Sequence, residues 1–287
     1  MDGVSFFTLI ISQMPPPTHL RLRECRHGPM LYSVNHGNIG ACLENYGEIC
    51  ETEVEILTPF LPDGATALDI GASIGILTLP LARRIGASGQ IIALEPQRFS
   101  FQMLCANLAL NGIENVDARC AAAGSARGSL KVPKFDMTKP QRPGMLELGN
   151  WTYGDIVPIL TIDELNLDRC DLIKIDVEGM EIDVLNGAGA TIRRARPAIY
   201  VENDRQDRSA TLIKLLWAHD YDCYWHLAPY VRIPNFRGIA TLPTPQMCAI
   251  NMLCLPSGRR ADIALPKVLS AAEHPSNGAH DTPTAVI

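Results

Sequence analysis

The sequence predicts an α/β fold built on a doubly wound, parallel sheet. From residue 65 to residue 122, apolar strand candidates alternate with helix candidates in a β-α-β-α-β order, which is typical of such sheets. A later stretch, residues 172–179, has the pattern of a buried strand but carries Lys174, Asp176 and Glu178 at every second position. Because burying ionisable groups is expensive, we expect the end of this strand to serve chemistry or an ion-pair network.

The first half of the predicted sheet is assigned from hydrophobic periods bounded by Gly, Pro or Asn. These elements are a strand with a glycine turn over 67–75, a helix over 76–85, a strand over 90–95, a helix over 99–110 and a strand over 116–122.

The second half begins with an interruption. Prolines and glycines break any period over about residues 124–160, which predicts an insertion with a small hairpin. The elements expected after it are a short helix from 161, the charged strand, a helix over 181–195, a strand over 198–203, a helix over 209–219 and strands over 221–225 and 249–255.

These elements place one main domain over residues 63–256. We expect residues 1–62 to form an arm and a helix that packs on this domain, and residues 257–287, rich in Pro, Ala, Ser and Gly, to form a disordered tail. The apolar segment 6–11 is too short to span a bilayer and lacks the basic flank and cleavage site of a signal peptide.

Composition restricts the class of partner. The 287 residues are 47% hydrophobic, enough for one sizeable core. A net charge of -6 and a pI near 5.6 give no overall attraction to nucleic acid or anionic membrane. The nine cysteines are scattered without a CxxC pair, which is typical of free thiols in a reducing compartment. We therefore expect a cytoplasmic protein that binds neither nucleic acid nor membrane.

A glycine turn and a distant carboxylate predict a nucleoside-containing ligand. The turn runs Asp-x-Gly-Ala-x-x-Gly from Asp69 to Gly75, where glycine permits close approach of a ligand to the backbone. Glu95 stands at the tip of the second strand, about twenty residues later, where a carboxylate can accept both hydroxyls of a ribose.

Two cofactor classes fit this arrangement. A dinucleotide site prefers a glycine where this chain has Ala72, and the Asp69 carboxylate would face the pyrophosphate unfavourably. S-adenosylmethionine has no phosphate and carries an ammonium and a sulfonium, so it suits Asp69. The methyl donor is therefore the better candidate.

The sequence resembles the FkbM-type family of class I methyltransferases, most of which methylate oxygen. The resemblance covers about residues 38–205, and the stretch Lys-Ile-Asp-Val-Glu-Gly from Lys174 is its most specific part. It implies a Rossmann-like sheet of seven strands with the last strand antiparallel. The matching stretches are 46–48, 67–75, 93–96, 107–112 and 173–181.

The resemblance also implies roles for individual residues. It puts Asp176 beside the transferred methyl group and Glu95 on the ribose. It places Asp69, Gly71, Ala72 and Gly75 around the methionine moiety of the cofactor. Two features depart from the family: Ser73 stands where the family often has Asn, and the segments 228–230 and 239–245, which we expect to border the acceptor, do not match relatives.

Methylation of a hydroxyl needs a group that takes its proton. Asp176 and Glu178 are the base candidates, with His226 as an outside alternative. Lys174 is interpreted as a buried ion-pair partner of Asp176 or Glu202. A divalent metal held by Asp176, Glu178, Glu202 or Asp204 is an alternative, because these side chains offer the oxygen ligands that Mg²⁺ prefers. Their spacing is not diagnostic, so no metal site is predicted.

The sequence therefore predicts an S-adenosylmethionine-dependent methyltransferase that acts on a hydroxyl of a small molecule or glycan. Two alternatives stay open. One is an NAD-dependent oxidoreductase, and the other is a non-catalytic Rossmann-like module that binds a nucleoside or a partner protein. The identity of the acceptor and the oligomeric state are not encoded in any recognisable pattern.

Overall fold

The structure is a computed structural model. The apolar segment 6–11 and residues 243–245 of the expected acceptor border lie outside its described residues. Within the described ranges, no helix is long and apolar enough to cross a membrane. The described residues are 18–142, 146–149, 151–242, 247–259 and 264–278.

The strands are numbered in chain order. They are β1 (Leu20–Cys25), β2 (Gly28–Ser33), β3 (Thr66–Ile70), β4 (Gln90–Leu94), β5 (Val116–Arg119), β6 (Ala122–Ala123), β7 (Gly128–Val132), β8 (Asp155–Leu160), β9 (Leu172–Ile175), β10 (Ala198–Glu202), β11 (Tyr221–Pro229) and β12 (Cys248–Pro256).

The α-helices are numbered in the same way. They are α1 (Gly37–Tyr46), α2 (Glu51–Leu57), α3 (Thr78–Ile85), α4 (Arg98–Leu110), α5 (Glu181–Asn186), α6 (Gly189–Ala195) and α7 (Gln206–Ala218). Short 3₁₀ helices occur at Thr58–Phe60, Asp163–Leu165 and Pro275–Gly278.

Seven strands form the main sheet, in the order β11-β12-β10-β9-β3-β4-β5. The neighbours from β10 to β5 are all parallel, whereas β12 lies antiparallel between β10 and β11. This confirms the α/β prediction and the antiparallel last strand that the family resemblance implies. The hairpin of β1 and β2 precedes the sheet as an N-terminal extension.

The order of the strands fixes where a ligand binds. The chain proceeds from β3 outward to β5 and then returns to β9 on the other side of β3. Ligands of open α/β sheets bind at such a switch point, beyond the carboxyl ends of the strands. Here the pairing sets Asp69 of β3 beside Lys174 of β9, so both charged residues lie at the crevice.

Alternation along the strands divides the core into two layers. One layer packs the sheet against the N-terminal extension, α3 and α4, and includes Leu57, Leu79 and Leu172. The other packs it against α5, α6 and α7, and includes Ile173, Ile175 and Ile192. Because successive residues point to opposite faces, Lys174 lies on the first face while its isoleucine neighbours fill the second.

The predicted insertion forms a second, three-stranded sheet in the order β6-β8-β7. β7 and β8 are antiparallel, as expected for a hairpin, and β6 adds a parallel edge. The predicted strand 116–122 is wrong at its end, because β5 stops at Arg119 and β6 belongs to this smaller sheet. The predicted helix 181–195 is also wrong in part, since it divides at Gly187 into α5 and α6.

Part of the predicted disordered tail packs on the domain. Val268 is buried and donates its N–H to the Cys223 carbonyl at 2.8 Å, and Trp225 donates to the Pro266 carbonyl at 2.9 Å. The reason is that β11 is an edge strand whose outer backbone groups need partners. The expectation of disorder is therefore wrong for residues 264–278, while 260–263 and 279–287 lie outside the described residues.

Replacing Val268 by alanine tests this packing. Val268 is 3% exposed, so its truncation should lower the free energy of unfolding by about 1–3 kcal/mol. Leu269→Ala is the matched control, because Leu269 is 77% exposed and its loss should change that energy by about 0.5 kcal/mol or less. Equal effects of the two variants in urea unfolding would show that the tail does not pack on β11.

Candidate active site

A buried lysine joins the turn after β3 to the end of β9. Lys174 Nζ lies 3.2 Å from Asp69 Oδ1 and 3.6 Å from Asp176 Oδ2, and it donates to the Gly71 carbonyl at 2.7 Å. Its side chain is only 5% exposed. The interpretation of Lys174 as an ion-pair partner is thus confirmed for Asp176, whereas Asp69 takes the place proposed for Glu202 among the ion pairs of the described residues.

Neighbouring carboxylates keep this lysine charged. Burial by itself lowers the pKa of an ammonium group. The negative charges of Asp69, Asp176 and Glu53 outweigh that effect and hold the pKa of Lys174 above its ordinary value. Removing the lysine would leave Asp69 as an uncompensated buried charge, which typically costs about 3–5 kcal/mol.

The turn after β3 approaches β9 so closely that only glycine fits. Gly71 has φ 82°, and a Cβ there would stand 1.7 Å from the Asp176 carbonyl oxygen. Two residues on, the Ser73 N–H donates to Glu95 Oε2 at 2.8 Å. The turn therefore gathers the carboxyl ends of β3, β4 and β9 at one place.

Asp69 serves this turn from inside the fold. Its carboxylate is buried, its Oδ2 accepts a hydrogen bond from Thr78 Oγ1 at 2.6 Å, and its Oδ1 pairs with Lys174. Oδ2 is thus hydrogen-bonded, whereas Oδ1 is held only by the ion pair and has no hydrogen-bond partner among the described residues. Asp69 therefore positions the glycine turn. Its side chain is directed toward Thr78 and Lys174, and its predicted contact with a cofactor stays a prediction.

A cavity of about 460 Å³ opens at the carboxyl ends of the central strands. Four of the predicted site residues line it: Gly71, Glu95, Asp176 and Glu178. The other four, Asp69, Ala72, Gly75 and His226, are not among the described residues that line it.

Glu95 faces the cavity with a carboxyl group held in a fixed orientation. Its Oε2 accepts from the Ser73 N–H and its Oε1 from the Gln97 N–H, each at 2.8 Å. Burial raises the pKa of Glu95 to about 7, although these two hydrogen bonds act in the opposite direction. Each oxygen has a second lone pair, so the group keeps acceptor capacity toward the cavity.

His226 lies apart from this cavity. It is buried in β11, where its Nδ1 is 2.8 Å from Tyr200 Oη, and that hydroxyl also accepts from Asn251 Nδ2 at 2.9 Å. Burial lowers the pKa of His226. The structure therefore does not place His226, the third base candidate, beside the other site residues. Its contact with Tyr200 is typical of a histidine in the core.

Three carboxylates crowd the ends of β9 and β10. One oxygen from each of Asp176, Glu178 and Glu202 lies within 4.8 Å of the others. Burial, followed by the charges of Asp176 and Asp204, raises the pKa of Glu178 to about 8. Burial and the same kind of repulsion raise the pKa of Glu202 well above its ordinary value. Arg205 offsets part of this charge, because its Nη2 lies 3.1 Å from Glu178 Oε2.

Glu53 of α2 also lines the cavity and was not predicted. It is buried, and its pKa is raised to about 7, first by burial and then by Asp176. The signal was present in the sequence, since Glu53 precedes Leu57 by one helical turn and so shares its buried face. Tyr230, from the segment 228–230, lines the cavity too.

Curated relatives are methyltransferases. "Methyltransferase 1" of Beauveria bassiana (strain ARSEF 2860) is 29% identical over 157 residues, which cover 46% of this chain and 61% of the relative. "Methyltransferase sdnD" of Sordaria araneosa is 28% identical over 160 residues, covering 44% of this chain and 61% of the relative. The chain thus spans about three fifths of the length of these two relatives.

One solved structure that is similar to this chain is a methyltransferase FkbM from Methylobacillus flagellatus KT. It shares 19% identity at a TM-score of 0.45, over 67% of this chain and 44% of that one. The family model described as the methyltransferase FkbM domain matches residues 69–223, which is just over half of the 287 residues. This match runs from Asp69 at the glycine turn to β11, so it includes Lys174 and both of its ion-pair partners, Asp69 and Asp176. The chain therefore belongs to the FkbM family of methyltransferases.

Proposed function

We propose that this protein transfers a methyl group from S-adenosylmethionine to a hydroxyl oxygen of a small molecule or glycan. The observation that carries the proposal is that Glu95 and Asp176 open into one cavity at the switch point of the sheet. Glu95 is the candidate ribose acceptor and Asp176 the candidate base. Their common cavity supports binding of the nucleoside and proton removal within a single site.

The charge of the cavity favours this cofactor over a dinucleotide. Asp176, Glu178, Glu202 and Glu53 all line it. A pyrophosphate would add negative charge where burial and crowding already raise the pKa values of Glu53, Glu178 and Glu202, whereas an ammonium and a sulfonium would stabilise their ionised forms. This is the main physical argument against the oxidoreductase alternative.

Between the two carboxyl base candidates, Asp176 is favoured. When bound, S-adenosylmethionine supplies an electrophilic methyl group that is lost from a sulfonium. The Asp176 side chain is 45% exposed and so can reach a bound hydroxyl and take its proton as the new carbon–oxygen bond forms. Glu178, with a pKa of about 8, keeps its own proton at neutral pH when no cation is bound and is therefore the poorer base.

Two simple assays separate the alternatives. An NAD-dependent oxidoreductase would change the fluorescence of NADH on mixing, and a methyltransferase would not. A non-catalytic nucleoside-binding module would bind S-adenosylhomocysteine. It would transfer no labelled methyl group from S-adenosylmethionine to any member of a panel of hydroxylated small molecules and glycans.

Glu95→Gln should weaken binding of S-adenosylhomocysteine by about tenfold or more. The amide keeps one acceptor oxygen and loses the charge, and a hydrogen bond to a charged group contributes about 1.5–3 kcal/mol. Isothermal titration calorimetry measures the dissociation constant. Glu114→Gln, an exposed substitution of the same chemistry, is the control and should leave it unchanged.

The affinity for S-adenosylhomocysteine should also depend on pH. Since the pKa of Glu95 is about 7, its carboxyl group is protonated at pH 6 and ionised at pH 8. Only the ionised form offers both oxygens to ribose hydroxyls, so wild-type affinity should rise between these pH values and the rise should be smaller in Glu95→Gln. An identical pH profile in the two proteins would remove Glu95 from the site.

Asp176→Asn should separate binding from turnover. The amide cannot accept the proton, so methyl transfer should slow by about 10²–10⁴-fold, while the affinity for S-adenosylhomocysteine should stay within about threefold of wild type. Transfer of labelled methyl groups to the best acceptor of the panel gives the rate. Asp207→Asn, whose side chain is 81% exposed on α7, is the control. Unchanged turnover in Asp176→Asn would exclude this residue as the base.

A further inference from the structure

The carboxyl group of Glu202 has an oxygen without a partner inside the protein. Glu202 is half-buried as a whole, but its Oε2 is fully enclosed and accepts no hydrogen bond from the described residues. A buried carboxylate oxygen in this state is costly unless something else satisfies it. The unsatisfied atom therefore indicates a missing positively charged or donating group.

The surroundings of Glu202 indicate what kind of group this is. The oxygens that Asp176, Glu178 and Glu202 offer lie within 4.8 Å of one another. Glu202 is the last residue of β10, and Asp176 and Glu178 follow the end of β9, so the parallel pairing of these two strands brings the three residues together. Carboxylate oxygens in such a cluster are the ligands that hard divalent cations prefer.

The dimensions fit a coordination sphere. Oxygen ligands lie about 2.1 Å from Mg²⁺ and about 2.3–2.6 Å from Ca²⁺, so two oxygens on opposite sides of these ions are separated by roughly 4.2 Å and 4.6–5.2 Å. The three oxygens, all within 4.8 Å of one another, can therefore surround one ion with small side-chain movements.

The cationic side chains beside the cluster pair with Glu178 and Asp176 and leave the Glu202 oxygen without a partner. Arg205 Nη2 contacts Glu178 Oε2 at 3.1 Å, and Glu202 Oε2 still has no hydrogen-bond partner among the described residues. Lys174 lies 3.6 Å from Asp176 Oδ2, but it already pairs with Asp69 and donates to the Gly71 carbonyl. A cation in the cluster would complete the charge balance that these two side chains leave open.

We propose that Asp176, Glu178 and Glu202 form a binding site for one divalent cation of the Mg²⁺, Mn²⁺ or Ca²⁺ class. Three carboxylates leave coordination positions that face the cavity, where water or hydroxyl oxygens bind. The spacing of these residues along the chain does not reveal the site, because Glu202 is brought to the other two only by strand pairing. The proposal does not depend on methyl transfer, since binding of the metal alone tests it.

The test is a titration of metal-stripped protein with Mn²⁺ at pH 8, in the absence of cofactor and acceptor. Electron paramagnetic resonance reports free Mn²⁺, and calorimetry with Mg²⁺ and Ca²⁺ extends the comparison. Wild-type protein should bind one ion per chain. Glu202→Gln and Glu178→Gln should each weaken binding at least tenfold, whereas Glu114→Gln should bind as wild type.

Urea unfolding without metal checks that the variants are folded. Glu202→Gln should be at least as stable as wild type, because the neutral amide removes the repulsion with Asp176 and Glu178 and the cost of burying a carboxylate. If it is unfolded, Glu178→Gln decides the outcome. Absence of saturable binding to wild type at millimolar Mn²⁺, or binding that neither glutamine substitution weakens, would overturn the proposal.

Discussion

The buried ammonium of Lys174 is the interaction on which the site depends. It compensates Asp69 within β3 and Asp176 at the end of β9, and it fixes the Gly71 carbonyl between them. These groups come from the two strands that flank the switch point of the sheet. Since the glycine turn and the candidate base are tied to one cation, the geometry of the nucleoside pocket and that of the reacting end are set together.

The cavity beside Lys174 is lined by more carboxyl groups than the neighbouring cationic side chains neutralise. Glu53, Glu95 and Glu178 have raised pKa values, with burial as the largest cause of each. A fold tolerates such crowding where function requires it, because burial without partners costs stability. A positively charged methyl donor and a divalent cation would both relieve it, each at a different part of the cavity.

Much of this was predictable because it depends on local pattern. The alternation of strands and helices predicts a doubly wound, parallel sheet, and the charges at every second position indicate β9 and Lys174. The seven strands and the antiparallel last strand come from the family resemblance. The features that local pattern does not predict depend on contacts between distant residues. Thr78 and Lys174 occupy both oxygens of Asp69, and Tyr200 binds His226, so the directions of these side chains follow from tertiary packing. Likewise, the need of β11 for an edge partner orders residues 264–278, whose composition alone indicates disorder.

The most direct test of the central role of Lys174 is a double-mutant cycle on the free energy of unfolding. Lys174→Met leaves a buried, unpaired Asp69 and should destabilise the protein strongly, and Asp69→Asn should be destabilising in the wild-type background. Adding Asp69→Asn to Lys174→Met should restore stability, with a coupling energy above about 1 kcal/mol. Additive losses from the two substitutions would contradict the account, because they would show that the cation does not hold the turn of β3 to the end of β9.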